Sequence, residues 1–450
     1  MSLPRYGEYR DSGVEWLGEV PEHWEIKRLR TVAELNPSKS EIAELDRSTE
    51  VSFLPMEAIG DDGSLNLDRM RPIHEVEAGY TYFRNGDVAL AKITPCFENG
   101  KGGLMRGLQG GIGFGTTELI VARPRPSETS GEYLNWIFRS PAFRKQGEAS
   151  MYGAGGQKRV PDDFVRNIAW AFPSPMEQTA IAAFLDRETA KIHALIAEQE
   201  KLIALLAEKR QATISHAVTR GLDPDAPMKD SGVAWLGEVP AHWEITRLKH
   251  AASLIVDCPH ETPVYDEDGT YRVIRTANVT EGRLWIEEMY SVGEQDYLNR
   301  IRRQVLAKDD IVYGREGERW GYAAQVPSVD MFCLGQRMMQ FRAADSMHAR
   351  YLMWQLNSLS TYRQGQMDTV GATSPHVNVR TIRNYVLANP PLGEQLEISA
   401  FLDAETSLLD ALDVEAAHAV VLLKERRSAL IAAAVTGQID VRGAAQGGHA

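Results

Sequence analysis

The sequence predicts an α+β fold with a pseudo-twofold internal repeat: two α+β domains separated by two long helices that pair as an antiparallel coiled coil. Three observations predict it. The segment Asp11-Ser-Gly-Val-Glu-Trp-Leu-Gly-Glu-Val-Pro-Glu-His-Trp24 returns as Asp230-Ser-Gly-Val-Ala-Trp-Leu-Gly-Glu-Val-Pro-Ala-His-Trp243. Pro173 to Asp223 aligns without a gap to Pro390 to Asp440, and Glu177-Gln178, Phe184-Leu185-Asp186 and Val218-Thr219 recur there as Glu394-Gln395, Phe401-Leu402-Asp403 and Val435-Thr436. Between these matched blocks lie two long stretches that barely resemble each other. The repeat is far longer than a solenoid unit, so it is an internal duplication with variable inserts.

The elements follow in chain order. Residues 1–23 are an N-terminal conserved segment, 24–172 a first variable domain and 173–222 a conserved helix. Residues 223–242 are a linker carrying the second opening motif, 243–390 a second variable domain, 391–440 a second conserved helix and 441–450 a flexible tail. In the first conserved helix Ile181, Leu185, Ile192, Leu195, Leu202 and Leu206 step by threes, fours and sevens. Ile398, Leu402, Leu409, Leu412 and Leu423 repeat the pattern in the second, which reads as a coiled-coil seam. A second stripe (Phe184, Ile196, Ile203; Phe401, Val420, Val421) is more than two helices need, so other surfaces are expected to pack there. No Gly or Pro interrupts Glu177 to Arg220, and Gly221 and Gly437 mark the two ends. About 40 helical residues make a rod of roughly 60 Å. The variable inserts show strands at 51–59, 88–94 and 118–123, with counterparts at 311–314 and 338–342. A helix over Tyr133 to Arg144 is matched by Tyr351 to Tyr362.

A net charge of −13 argues at first against a nucleic-acid partner, so its distribution decides. Residues 21–172 carry 19 basic and 21 acidic side chains, and residues 240–390 carry 17 and 18. The inserts are near neutral, and the second takes 15 of its 17 cations as Arg, the side chain suited to bidentate recognition of bases and phosphates. Cys96, Cys258 and Cys333 are isolated, without zinc or disulfide spacing, no apolar run is long enough for a membrane span, and the opening residues carry no signal-peptide pattern. A cytoplasmic protein without a metal site is expected.

Motifs that suggest catalysis fail on their surroundings. Asn389-Pro390-Pro391-Leu392 lacks the aromatic that would stack on a flipped base, and its counterpart Phe172-Pro173-Ser174-Pro175 abandons the pattern, so it reads as a stop before a helix. Gly111-Ile-Gly-Phe-Gly115 is followed by strand-like residues and reads as a turn. His23 and His242 recur beside Trp24 and Trp243 without a nucleophile, which suggests aromatic packing that clips the opening onto the helices. Cys258-Pro259-His260 has no partner ligands and reads as structural.

The paired Trp-Leu-Gly-Glu-Val-Pro-x-His-Trp openings, the helices introduced by Glu-Gln and Phe-Leu-Asp, and the segment Gly86-Asp-Val-Ala-Leu-Ala-Lys92, loosely matched by Asp309-Asp-Ile-Val-Tyr-Gly-Arg315, resemble the specificity subunit of type I restriction–modification systems over almost the whole chain. The second copy departs in placing Asp309 where the first has Gly86. The resemblance implies a non-catalytic subunit with two target recognition domains, each reading half of an interrupted double-stranded DNA site. It also implies two methyltransferase subunits that modify adenine and, in restricting systems, two restriction subunits. S-adenosylmethionine, ATP and Mg²⁺ then belong to the partners, and this chain holds no cofactor. The other reading of the same layout is a non-catalytic assembly adaptor whose two domains bind proteins.

Loops that are polar, flanked by Gly and different between the copies are the candidate readers. In the first insert these supply Lys92, Thr94, Asn99 and Lys101, with Gln157, Lys158 and Arg159 from Gly155-Gly-Gln-Lys-Arg. In the second they supply Arg315, Glu316, Arg319 and Trp320, with His376, Asn378 and Arg380 from Ser374-Pro-His-Val-Asn-Val-Arg. Gln and Asn can bond adenine bidentately, Arg and Lys guanine. If the paired helices set the spacing of two half-sites, one helical turn inserted after Leu206, with a matched insertion in the other helix, lengthens the unread spacer; sequencing modified DNA checks this, and an unchanged spacer counts against it.

Overall fold

A computed structural model describes residues 3–153, 156–317, 319–327, 331–370 and 375–443. The chain forms two compact units, Met1–Gln199 with His418–Ala450 and Glu200–Ala417. Two long helices, Pro175–Arg220 and Leu392–Val435, each contribute to both. Among the described residues no helix is long and apolar enough to cross a membrane.

In the first unit the strands Ala33–Leu35, Leu119–Pro124, Val88–Ala91 and Gly102–Leu104 lie side by side in that order, all antiparallel. A second sheet runs Met70–Pro72, Glu50–Leu54, Ile112–Gly115, Thr81–Arg84. Gly111-Ile-Gly-Phe-Gly115 is therefore mostly a strand inside this sheet, not the turn its glycines suggest. A Cβ on Gly113 would meet the Phe83 ring at 2.6 Å, so glycine there serves close packing.

The second unit repeats the plan. Ala252–Asp257, Met338–Ala343, Ile311–Gly314 and Ala323–Gln325 form an antiparallel sheet in the equivalent order, and Tyr290–Val292, Tyr271–Ile274 and Phe332–Leu334 form a smaller one. A buried carboxylate opens the central strand in both. Asp87 takes two bonds from Arg123, and Asp310 takes two from Arg342 and one from Gln340. This explains the Asp of the repeated Asp-Val/Ile motif: a buried carboxylate is tolerated only when paired.

The expected helix at 133–144 is two helices, Gly131–Arg139 and Pro141–Ser150. Ser140 breaks it, its hydroxyl capping the second helix at the Phe143 N–H with Pro141 following at the first helical position. In the second copy Ala349–Leu356 and Leu359–Gln366 divide in the same way, with Ser358 capping Thr361.

The long helices pair antiparallel within each unit. In the first, Ile181 and Leu185 share a core with Ile431, Ala434 and Val435, and Ile192 and Ile196 meet Val420. In the second, Ile214, Ala217 and Val218 share a core with Ile398 and Leu402. Of the expected seam, Ile181, Leu185, Ile192, Leu206, Ile398, Leu402 and Leu409 are buried, and the departures lie in the middle of the helices. Leu195, Leu202 and Leu412 are 50, 41 and 46% exposed, whereas Ile196, Ala416 and Val420 are buried. Buried Thr189 and Thr406 continue the inward face, each hydroxyl bonding the carbonyl four residues back. These small or polar inward positions, beside a second apolar stripe, lead a leucine-based reading to Leu195 where Ile196 is the buried residue.

The repeated openings meet the start of the long helix in their own unit. Glu177 accepts from the Trp24 indole at 3.2 Å and lies 3.0 Å from His23 Nε2. Glu394 accepts from Trp243 at 2.9 Å and lies 2.6 Å from His242. The neighbouring glutamine ties the helix to the insert: Gln178 donates to the Glu128 and Pro173 carbonyls, and Gln395 to those of Ser346 and Pro390. Trp136 and Trp354 add bonds to Asp186 and Asp403, the Asp of Phe-Leu-Asp.

The seam register yields a paired prediction. Ile196→Ala removes buried methylenes and lowers stability by about 2–4 kcal/mol, while Leu195→Ala, one position outward, changes it by less than ~1 kcal/mol. Urea denaturation of the two variants checks this, and equal losses contradict the register.

Candidate DNA-reading loops

Each insert joins its two candidate loops into one surface. In the first unit the segment after strand Val88–Ala91 meets the segment around residues 152–160. The Thr94 N–H and hydroxyl both donate to the Lys158 carbonyl, Val160 N–H donates to the Lys92 carbonyl, and Ile93 and Tyr152 each bridge to Arg159. In the second unit the segment after strand Ile311–Gly314 meets residues 375–377 in the same way. Val377 N–H donates to Arg315 O, Gly317 N–H to Pro375 O, and Glu316 bridges to His376. Both surfaces occupy the same place in the topology: directly after the central strand, and just before a short helix, Asp162–Asn167 or Val379–Arg383. Gly155, Glu318 and Ser374 of these loops lie outside the described residues.

The side chains then divide by what already holds them. Arg159 spends its guanidinium on both oxygens of Glu118, which holds that carboxyl below its usual range. Lys101 donates to the Met56 carbonyl, and Lys92 lies 4.0 Å from Asp162. Arg315 is buried, bonded to Asp257 at 3.0 Å and to Glu316 at 2.7 Å, with the His260 ring 3.4 Å away. Trp320 is buried and stacked on Tyr362 at 4.5 Å, so it is a pillar of the core and not a platform for a base. The sequence could not separate these from free readers, because their partners Glu118, Asp257 and Tyr362 are far away in the chain.

Five of the remaining side chains are exposed and uncommitted. Among the described residues no side-chain hydrogen bond engages Asn99, Gln157 or Lys158 in the first unit, or Asn378 and Arg380 in the second, and all five are exposed. Arg319 is exposed with one bond, to the Ala277 carbonyl. His376 is half-buried beside them. Two features escaped the sequence reading. Tyr152 presents an exposed ring on the first surface, and the glycine-rich stretch that follows it is its only signal. In the second, Cys258-Pro-His260 contributes its imidazole to the Asp257–Arg315 cluster. Each surface thus offers amide and cationic donors on a braced backbone, a set that can bond base edges and phosphates.

Comparison with known proteins agrees with this layout. Residues 244–413 match the family described as type I restriction modification DNA specificity domain. The chain is 47% identical over 165 residues to the type I restriction enzyme EcoAI specificity subunit of Escherichia coli, covering 36% of this chain and 27% of that one. It is 42% identical over 199 residues to the EcoEI specificity subunit of the same organism, covering 42% and 33%. The matched stretch thus spans a third or less of the length of these curated relatives. The fold is shared with a chain from a structure titled as the basis of complex assembly and conformational transition of the type I R-M system, at TM-score 0.74 and 18% identity over 92% of this chain and 98% of that one. Residues 244–413 thus match the type I DNA specificity domain family, and the chain is similar to type I specificity subunits.

The division of side chains separates two arginines. Arg315→Ala leaves Asp257 and Glu316 without their buried partner and costs about 3–5 kcal/mol of stability. Arg319→Ala leaves stability within ~0.5 kcal/mol and weakens DNA binding by ~1–3 kcal/mol if it reads a base. Thermal melts and duplex-binding titrations of both variants check this; the reverse pattern contradicts it.

Proposed function

We propose that this chain is the DNA-reading subunit of a type I restriction–modification complex, with each insert recognising one half of a bipartite double-stranded site. The observation that carries the reading is the matched pair of braced loop surfaces: same topological position, same backbone bridging, different side chains. A protein that holds one scaffold constant and varies only the exposed polar side chains on it is built to read two different targets. The near-neutral inserts fit a DNA partner met through local donors rather than through a basic field.

The chemistry belongs, on this reading, to two methyltransferase subunits that use S-adenosylmethionine, and to restriction subunits where the system cuts DNA with ATP and Mg²⁺. This chain supplies position and no catalytic group. Docking of such partners is supported by apolar side chains left exposed on the long helices. Leu205, Leu408 and Val414 join Leu202 and Leu412 in the second unit, and Val421 and Leu422 join Leu195 in the first. Exposed apolar stripes of this kind mark interaction surfaces. A cytoplasmic location follows from such partners and substrate.

The test is to reconstitute the chain with its methyltransferase subunit and sequence the adenines it modifies. Modified sites are expected to share two short sequences separated by an unread spacer, and Asn378→Ala together with Arg380→Ala is expected to relax one of the two and leave the other intact. Modification without sequence preference, or equal loss at both halves, overturns the proposal.

A further inference from the structure

We propose that the first unit holds a binding site for a phosphate-class oxyanion, framed by Arg139, Arg144 and Arg427, that the second unit lacks. A cavity of about 320 Å³ opens where the helix Gly131–Arg139, the start of Pro141–Ser150 and the second long helix meet. Arg139, Arg144, Arg427 and Lys145 line it together with the carboxylates of Asp61, Glu98 and Glu148, and Glu98 Oε2 is buried without a hydrogen-bond partner. Lys145, Asp61 and Glu148 lie exposed at its mouth, where water screens them.

The inner cations are short of partners. Among the described residues no hydrogen bond or ion pair engages Arg139, whose guanidinium lies over the Trp136 ring at 4.7 Å. A guanidinium carries five donors, and leaving them unused in a partly buried place is costly. Arg144 is buried and donates to the carbonyls of Phe97 and Gly100, but its Nε has no partner. Arg427 bonds His193 Nε2 at 2.7 Å, which requires a neutral imidazole as acceptor and brings no countercharge. Burial, and then the charge of a neighbouring arginine, pulls the protonated forms of both Arg139 and His193 downward. An oxyanion accepting from these guanidinium groups supplies the missing negative charge and acceptors together.

The duplication provides a control. His193 and Arg427 correspond to Asp410 and Arg210 in the gapless alignment of the two helices. In the second unit Arg210 bonds Asp410 at 2.5 Å and also donates to the carbonyls of Thr406 and Glu281, so it has both a countercharge and acceptors. Asn357 stands where the first unit has Arg139, with its amide bonded to both backbone groups of Ala323, and Tyr362 stands in place of Arg144. One copy pairs its arginine with an aspartate, and the other has two further arginines and a histidine where that aspartate stands. Asn99 and Gly100 of the candidate reading loop border the cavity, so the phosphate can come from a DNA backbone or from free solution.

Thermal melts of the full chain in inorganic phosphate and in chloride at equal ionic strength test the site, with His193→Asp and Arg139→Asn as variants. Both install the second unit's residue, and His193→Asp gives Arg427 the ion pair seen at Arg210, so folding is preserved or improved. Phosphate is expected to raise the wild-type Tm beyond chloride, and both variants are expected to lose that rise. A parallel titration of an unrelated duplex distinguishes the source. If the site takes a DNA phosphate, His193→Asp lowers the slope of log affinity against log salt by about one; if it takes free phosphate, the slope is unchanged and only the melting response is lost. A phosphate response that survives both substitutions with an unchanged slope, or a wild type that does not distinguish phosphate from chloride with an unchanged slope, overturns the proposal.

Discussion

A glutamate at the start of each long helix, held between an indole N–H and an imidazole, is the constraint on which the rest depends. Glu177 is almost fully buried, and a carboxylate in that position must be bonded or it destabilises the fold by several kcal/mol. Trp24 and His23 provide those bonds, and Trp243 and His242 provide them for Glu394. The requirement is strict for buried Glu177 and weaker for Glu394, which is 35% exposed, but the same pair of bonds joins opening to helix start in both copies. The adjacent Gln178 and Gln395 turn the other way and bond backbone carbonyls of the insert. Two consecutive residues thus bind opening, helix and insert into one unit, which leaves the insert free to vary elsewhere.

The helix ends are held by the same motif. Gly437 has a positive φ of 74°, and a Cβ there would lie 2.3 Å from Pro21 and 3.3 Å from the Trp24 ring. A Cβ on Gly221, with φ 76°, would lie 3.2 Å from the Trp243 ring. Each glycine ends its helix in the left-handed region and also lets the opening's aromatic ring close over that end. The opening of each unit consequently grips two different helices: the one that begins there and the one that finishes there.

Much of this was legible in the sequence, for an identifiable reason. Repetition marked the scaffold, because scaffold residues bond one another and must be copied as a set. Helix extent, the strands at 88–91 and 311–314 and the clipping role of the openings all rest on such residues. The misreadings came where one residue type serves two purposes. Leu195, Leu202 and Leu412 are apolar but face outward, because the seam accepts Thr189, Thr406 and Ala416 and a count of large apolar residues passes over these. Ser140-Pro141 divides what the apolar pattern joins into one helix, although Ser-Pro is itself a start signal. Among the candidate readers, Arg315, Arg159 and Trp320 have the right chemistry but are already engaged by Asp257, Glu118 and Tyr362, which only the folded chain brings near.

That engagement sharpens what a reading surface needs. A side chain that recognises a base must have donors left over after folding, yet its backbone must be fixed or the entropy of ordering it cancels the gain. The two units meet both demands by dividing labour within one loop pair. Arg315 and Arg159 are consumed in holding the loop backbones, whereas Asn378, Arg380, Gln157 and Lys158 project from those backbones unengaged. On the proposed function, a change in the second group would alter what is read without disturbing how it is held, while a change in the first would disturb both. If the inserts read DNA as proposed, their targets can diverge by substitution at a few exposed positions, and the paired carboxylates Asp87 and Asp310, present in both copies, hold the central strand in place while the loops after it differ.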